Sequence, residues 1–232
     1  MTPEFWQKKW QSNQLGFNQN KPNPMLIEYL PTLNLAQGNR IFVPLCGKSI
    51  DMLWLAEQQF EVVGVELVET AVAEFFTENN ISASVHPHES EPNLKYYQGR
   101  YNNSDIIIWV GDIFLLNQQD IGVVDAIYDR AALVALPDDG TNHSLRFRYA
   151  QQLINLAPKA QQLLLSFGLS GVDETEYANY SGPPFLIPTQ RIHDYYQHAY
   201  QLVLLESYET QKVNNEGKPF LNLAWHLIPA QT

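Results

Sequence analysis

Residues 40–66 constrain this chain more than any other stretch: they read as strand, tight loop, helix and second strand, and the second strand ends on an acid. Ile41, Phe42 and Val43 form a brief apolar run, Leu45-Cys46-Gly47-Lys48-Ser49 supplies the turn, and Met52, Leu53, Leu55 and Ala56 recur at helical spacing. Val62-Val63-Gly64-Val65-Glu66 then reads as the next strand. Two strands joined through a helix make half of a nucleotide-binding α/β unit. In such a unit a loop glycine lets the backbone approach the ligand, and a carboxylate about 20 residues on accepts hydrogen bonds from ribose hydroxyls.

What the loop lacks narrows the ligand. A dinucleotide fingerprint seats its pyrophosphate on G-x-G-x-x-G, and here Gly47 stands alone, which disfavours hydride transfer. Gly47-Lys48-Ser49 has the ending of a phosphate-binding loop, but that motif requires a glycine where Phe42 stands, which disfavours ATP hydrolysis. Lys48-Ser49 is then expected to start the helix rather than to cradle phosphate. A nucleoside ligand without a polyphosphate fits what remains, and S-adenosylmethionine is the commonest such cofactor in this architecture.

Downstream, Val72, Phe75 and Phe76 keep helical spacing, and residues 82–103 look like an excursion around one short strand. Asp105-Ile106-Ile107-Ile108-Trp109-Val110 and Val123-Val124-Asp125-Ala126-Ile127-Tyr128 read as buried strands, the first ending at Gly111-Asp112-Ile113 and the second at Asp129-Arg130. A helix over 145–156 leads to a strand over 162–167. A helix over 191–198 leads to a strand over 201–205, a polar turn at Asn214-Asn215-Glu216-Gly217, and the alternation Leu221, Leu223, Trp225, Leu227. Strands alternating with helices predict a parallel sheet, and two late strands with no helix between them must pair antiparallel. The expected fold is therefore α/β and Rossmann-like: a mostly parallel seven-stranded sheet with a C-terminal antiparallel hairpin and helices on both faces, the sheet of S-adenosylmethionine-dependent methyltransferases.

Before the first strand, Thr2-Pro3-Glu4 has the capping hydroxyl, early proline and first-turn acid of a helix start. Phe5, Trp6 and Trp10 follow in an otherwise polar segment, suited either to capping the core or to closing over a ligand, and Asn23-Pro24 turns the chain into a short helix over 25–30. One methyltransferase domain over 1–232 is expected, with 1–35 as a helical lid or cap. At 232 residues and 45% hydrophobic the chain can bury the core of a single domain. Twenty-five acids against fourteen bases, a net charge of −11, repel phosphate backbones and anionic lipid, so neither nucleic acid nor membrane is expected as a partner. No stretch approaches the roughly eighteen consecutive apolar residues of a membrane span, and no basic region followed by an apolar run opens the chain. A cytoplasmic protein is expected, and a monomer, since no heptad or exposed apolar helix is evident. Cys46, the single cysteine, excludes an internal disulfide and a Cys-rich zinc site.

Ligands on open α/β sheets bind beyond the carboxyl ends of the strands. Glu66 is there placed to accept from both ribose hydroxyls. Asp112 is placed to meet the adenine amino group beside the Ile113 backbone, and the same carboxylate can cap the following turn. Arg130, at the mouth of a buried strand, suits the carboxylate of the cofactor or an anionic substrate; the alternative is a structural pairing with Asp129. His86 and His88 have chelating spacing but nothing beside them to fix a geometry, and no metal is expected. Cys46 has no base placed next to it and reads as a small buried loop residue.

Together the motifs say more. Phe5-Trp6-x3-Trp10, Gly16-Phe17, Asn23-Pro24, Phe42-Val43-Pro44-Leu45-Cys46-Gly47-Lys48-Ser49, Val62-Val63-Gly64-Val65-Glu66-Leu67, Tyr128-Asp129-Arg130-Ala131-Ala132-Leu133-Val134-Ala135-Leu136 and Gly182-Pro183-Pro184-Phe185, in this order, strongly resemble the bacterial thiopurine S-methyltransferases over nearly the whole chain. The resemblance implies S-adenosylmethionine as methyl donor and, as acceptor, a small aromatic or heterocyclic thiol or a selenium or tellurium compound. By position it implies that Trp10, Leu45, Glu66 and Arg130 bind the cofactor, that Asp112 and Ile113 flank adenine, and that Phe17, Pro183 and Pro184 close over the substrate. Arg130 is also the expected catalytic residue, stabilising the substrate anion. The family usually has histidine after the Gly-Phe pair, and this chain has Asn18. The competing expectations are another small-molecule methyltransferase, acting on halide, sulfide or an oxygen nucleophile, and a protein that binds cofactor or metalloid without turnover.

Overall fold

The computed structural model describes residues 3–12 and 14–230. Thr2, expected to cap the first helix, lies outside them. The chain forms two compact units, one ending at Tyr128 and one beginning at Asp129.

In the first unit α1 (Pro3–Gln11) and α2 (Pro24–Tyr29) precede β1 (Arg40–Pro44), α3 (Asp51–Glu57), β2 (Glu61–Glu66), α4 (Glu69–Glu78), β3 (Ala83–Pro87), β4 (Lys95–Tyr101), β5 (Ser104–Val110) and α5 (Gln118–Ile121). β6 (Ala126–Arg130) follows, and its residues Asp129 and Arg130 open the second unit. The strands here lie in the order β3-β4-β5-β2-β1-β6. The pairs β5–β2, β2–β1 and β1–β6 are parallel, and β3–β4 and β4–β5 are antiparallel. The parallel strands carry almost continuous buried runs, Ile41 to Val43, Val62 with Val63 and Val65, and Ile106 with Ile108, Trp109 and Val110. A sheet covered on both faces demands this composition. Beyond the end of β1, the Cys46 N–H donates to Val65 O at 3.0 Å. That bond brings the loop after β1 against the end of β2.

The second unit contains α6 (Leu145–Leu156), β7 (Gln161–Leu169), α7 (Thr189–Tyr196), β8 (Tyr200–Val213) and β9 (Pro219–Pro229). Its strands run β7-β9-β8, both pairs antiparallel. The Ser144 hydroxyl caps α6 by accepting from the Phe147 N–H at 3.1 Å. Tyr149, Leu153, Ile192, Tyr195 and Tyr196 form the buried faces of α6 and α7.

The expected α/β architecture with a parallel core and a late antiparallel hairpin is present. The strand count is not: among the described residues there are nine strands rather than seven. The excess lies in residues 82–103, which hold the two strands β3 and β4. β3 is an edge strand exposed along nearly all its length, so it has no apolar alternation to read. Gly99 marks where β4 packs closely, since a Cβ there would lie 2.7 Å from Ile81 Cγ2 and 3.0 Å from Ser82 O. β8, expected over 201–205, runs for 14 residues. Its outer half pairs with β9 alone, as far as Val213 opposite Pro219, and carries too little burial to show in the pattern. Among the described residues no helix is long and apolar enough to cross a membrane.

Candidate functional site

The loop after β1 is bent by two left-handed residues, Leu45 (φ 46°) and Gly47 (φ 54°). Leu45 is not glycine, and such strain gathers where a backbone must be presented to a ligand. Gly47 is required on two grounds, its torsion and the indole of Trp10, whose Cζ2 would lie 3.1 Å from a Cβ at this position. Across the loop stands Glu66, buried at the end of β2. Its Oε2 accepts from the Gly47 N–H and its Oε1 from the Val68 N–H, each at 2.8 Å. Burial pushes this carboxyl above its ordinary 4.5, partly offset by those N–H bonds. A carboxylate has about four acceptor sites, so these bonds do not exhaust it.

Trp10 is itself buried, packed with Val68 and Ala71 and flanked by Trp6, Leu15, Phe17 and Leu67. Phe17 meets Trp6 and Trp10 edge-on, with centroids 5.9 and 5.7 Å apart. The N-terminal aromatics therefore sit against the Gly47 loop and the turn after Glu66. Lys48, the cation of the loop, is drawn away to α4, pairing with Glu74 at 2.8 Å and Glu78 at 2.7 Å. A buried carboxylate with open acceptor directions, a glycine backbone and an indole, with the loop cation engaged elsewhere, fit a nucleoside carrying hydroxyl donors and do not fit a polyphosphate.

Beyond β5, the Gly111 N–H donates to Glu66 O at 3.0 Å and so holds the next loop beside Glu66. Asp112 is exposed, and its Oδ1 accepts from the Phe114 N–H at 3.0 Å, the capping role that its position allowed. Ile113 is buried. One residue of this region was missed from sequence. Asp51, only 1% exposed, accepts from the Asn23 N–H at 2.8 Å and the Tyr128 hydroxyl at 3.0 Å, tying the N-terminal segment and β6 to the start of α3. Its available signal was an acid in the first turn of a helix, where the backbone dipole favours it. The two histidines point to separate partners. His86 meets the Ser84 hydroxyl at 2.8 Å and stacks on Tyr96, whereas His88 meets Asp120 at 2.9 Å and accepts from the Ser90 and Glu91 N–H groups.

In the second unit Arg130 ends β6 half-buried, followed by Ala131 in the left-handed region (φ 63°). Asp129 does not pair with it. Its Oδ1 accepts from the Leu133 N–H at 3.1 Å and its Oδ2 from the Tyr149 hydroxyl at 2.8 Å, which pins the turn that carries Arg130. Complete burial pushes the Asp129 carboxyl from 3.8 up to about 6. The folded chain thus holds this proton more tightly than the unfolded chain does. Linkage then predicts that stability falls as pH rises from about 4 to about 6, by about 3 kcal/mol, and levels off above. Asp129→Asn should remove that fall. Urea denaturation of both proteins at pH 4 and pH 7 checks it, and a wild-type-minus-variant difference equal at the two pH values would contradict it.

Pro183 and Pro184 lie in a segment folded tightly on itself, where a Cβ at Gly182 would meet the Phe185 ring at 2.5 Å. The Phe185 N–H donates to Val134 O at 2.7 Å, which docks this segment on the 3-10 turn Leu133–Ala135 just after Arg130. The structure thus brings Trp10, Phe17, Leu45 and Glu66 into one group, with Asp112 and Ile113 on the adjoining loop. It brings the Arg130 turn and Pro183-Pro184 into another.

The sequence model of the family described as thiopurine S-methyltransferase (TPMT) matches residues 1–224. The chain is 52% identical over 206 residues to the thiopurine S-methyltransferase of Psychrobacter cryohalolentis, covering 89% of each chain. It is 44% identical over 206 residues to that of Teredinibacter turnerae, covering 89% of this chain and 87% of the other. Among solved structures, an S-adenosylmethionine-dependent methyltransferase from Methanosarcina mazei matches with a TM-score of 0.59 at 14% identity, covering 90% of this chain and 99% of that one. The Burkholderia thailandensis 1,6-didemethyltoxoflavin-N1-methyltransferase, solved with S-adenosylhomocysteine, matches with a TM-score of 0.59 at 12% identity, covering 97% and 87%. At such identities the likeness is one of fold, that of the Rossmann-like methyltransferases.

Proposed function

The chain belongs to the thiopurine S-methyltransferase family, and from that premise we propose that it transfers a methyl group from S-adenosylmethionine to the sulfur of a small aromatic or heterocyclic thiol. The observation that carries the reading is the buried Glu66 carboxylate, shared between the Gly47 and Val68 N–H groups with Trp10 packed on Gly47. Glu66 takes the ribose hydroxyls, Trp10 and Leu45 flank the bound donor, and Asp112 with Ile113 borders adenine. Arg130 faces the anionic groups, either the carboxylate of the donor or the charge of the acceptor. Phe17, Pro183 and Pro184 close over the acceptor, with residues 1–35 as the lid. Small selenium and tellurium compounds are further acceptors in this reading, and the protein acts as a cytoplasmic monomer.

When bound, S-adenosylmethionine supplies an electrophilic methyl on a sulfonium sulfur. Little covalent work then falls to the chain, whose residues orient the reactants and keep water out. The apolar packing of Trp6, Trp10 and Phe17 suits the second task, and the Asp129-pinned turn that presents Arg130 suits the first. A thiolate is the nucleophile, and thiopurines are acidic enough to reach it without a dedicated base.

A methyl-transfer screen with labelled donor over thiols, selenols and oxyanions of selenium and tellurium tests the proposal, and product from none of them would refute it. On an aromatic thiol that turns over, Arg130→Lys keeps the charge but loses the planar fork. It is expected to lower kcat/KM by about tenfold or more. Full kcat/KM across the pH range would remove Arg130 from the reaction.

A further inference from the structure

Arg146, in the first turn of α6, is 3% exposed, and a guanidinium does not lose its proton in a protein. Its Nε donates to Leu136 O at 2.9 Å, and its plane lies over the Phe185 ring with Cζ 5.3 Å from the centroid. Among the described residues it has no ion pair. Asp138, the carboxylate of this region, is taken by Arg191 at 2.9 Å and by the Tyr195 hydroxyl. Tyr195, whose phenol feels the charge of Arg146, is neutral near pH 7 because burial and Asp138 push it up to about 12. A buried cation without a counter-charge is costly, and the cost is relieved when an anion meets it.

Two observations say where that anion enters. Among the described residues the sealed side-chain polar atoms without partners belong to Gln162, Tyr196 and Tyr200. The Nη nitrogens of Arg146 are not among them and have no acceptor among the described residues, so this edge of the guanidinium is not sealed off. Leu136, which holds Nε, closes the 3-10 turn after Arg130, and Phe185, which covers the guanidinium plane, directly follows Pro183-Pro184. The cation therefore lies beneath the segment assigned above to the acceptor.

We infer that Arg146 is a specificity-determining residue that reads charge on the methyl acceptor: its open edge receives a carboxylate borne by an aromatic thiol, while Phe185 fixes the guanidinium plane. The inference rests on the methyl-transfer reading and names the substrate class of that site. A carboxylate matches the paired N–H donors of a guanidinium edge, and a lysine offers only a point charge.

The test compares kcat/KM for 2-mercaptobenzoate and for its methyl ester in the wild type, Arg146→Met and Arg146→Lys. The wild type is expected to favour the acid by about tenfold or more. Arg146→Met should bring the ratio close to one, mainly through a raised KM for the acid, and Arg146→Lys should recover part of it. If Arg146→Met does not fold, the wild-type ratio and the Lys variant decide. Equal losses on both acceptors, or a wild type that treats them alike, would overturn the role of Arg146 and leave the methyl-transfer reading standing. Methylation of neither compound, nor of any thiol in the screen, would overturn both.

Discussion

Glu66→Ala is expected to weaken S-adenosylhomocysteine binding by roughly a hundredfold, about 3 kcal/mol, as read by isothermal titration. The loss has two sources. The ribose hydroxyls lose their acceptor, and the Gly47 and Val68 N–H groups, each 2.8 Å from a Glu66 oxygen, lose the partner that shapes the loop. Glu66→Gln should not rescue binding. Both carboxylate oxygens accept from backbone N–H groups, so an amide must turn its own NH2 toward one of them and set donor against donor. The Glu66 carboxyl titrates above its ordinary 4.5, so affinity in the wild type should fall on acidification while the pH is still above that value. Unchanged affinity in Glu66→Ala would remove Glu66 from the site.

The largest stability effect is expected at Gly111, between β5 and Asp112. Its φ is +146°, and a Cβ there would lie 2.5 Å from Leu94 Cδ2 and 2.8 Å from Asn93 O. The leucine side chain can shift, but the carbonyl oxygen belongs to the backbone of the hairpin turn. Gly111→Ala therefore combines torsional strain with overpacking, for a loss of about 3 to 4 kcal/mol and a Tm lower by roughly 10 °C. Gly38 makes the comparison sharp: it has a φ of +83° but nothing within 4 Å of a Cβ, so Gly38→Ala keeps the strain without the clash. It should cost about 1 kcal/mol. Equal melting temperatures for the two variants would show that the exit of β5 relaxes around the methyl group.

The legible parts of this protein are those whose signal is local. The β1–loop–α3–β2 unit shows in periodicity because parallel strands covered on both faces must be apolar throughout. Glu66 shows because the end of a buried strand is a poor place for an acid without a task. The capping role of Asp112 follows from its position before a turn. β3 gives no such signal, since an edge strand exposed to water needs no apolar face, and the outer half of β8 is silent for the same reason.

Residue order alone settled the class of sheet and singled out the loop and the acid proposed here to hold the ligand, because propensity, periodicity and turn chemistry act over a few residues. Other facts came into being only when distant segments met. Trp10 lies on Gly47 and Asp51 gathers Asn23 with Tyr128, contacts that no window of sequence contains. Asp129 turns from Arg130, its neighbour in the chain, to Tyr149 on α6. Arg146 differs in sequence from no other arginine, and it becomes a candidate for reading charge because folding buries it where, among the described residues, no acid pairs with it and Asp138 is taken by Arg191. Burial and counter-charge are properties of a packed neighbourhood, and long-range contacts assemble that neighbourhood.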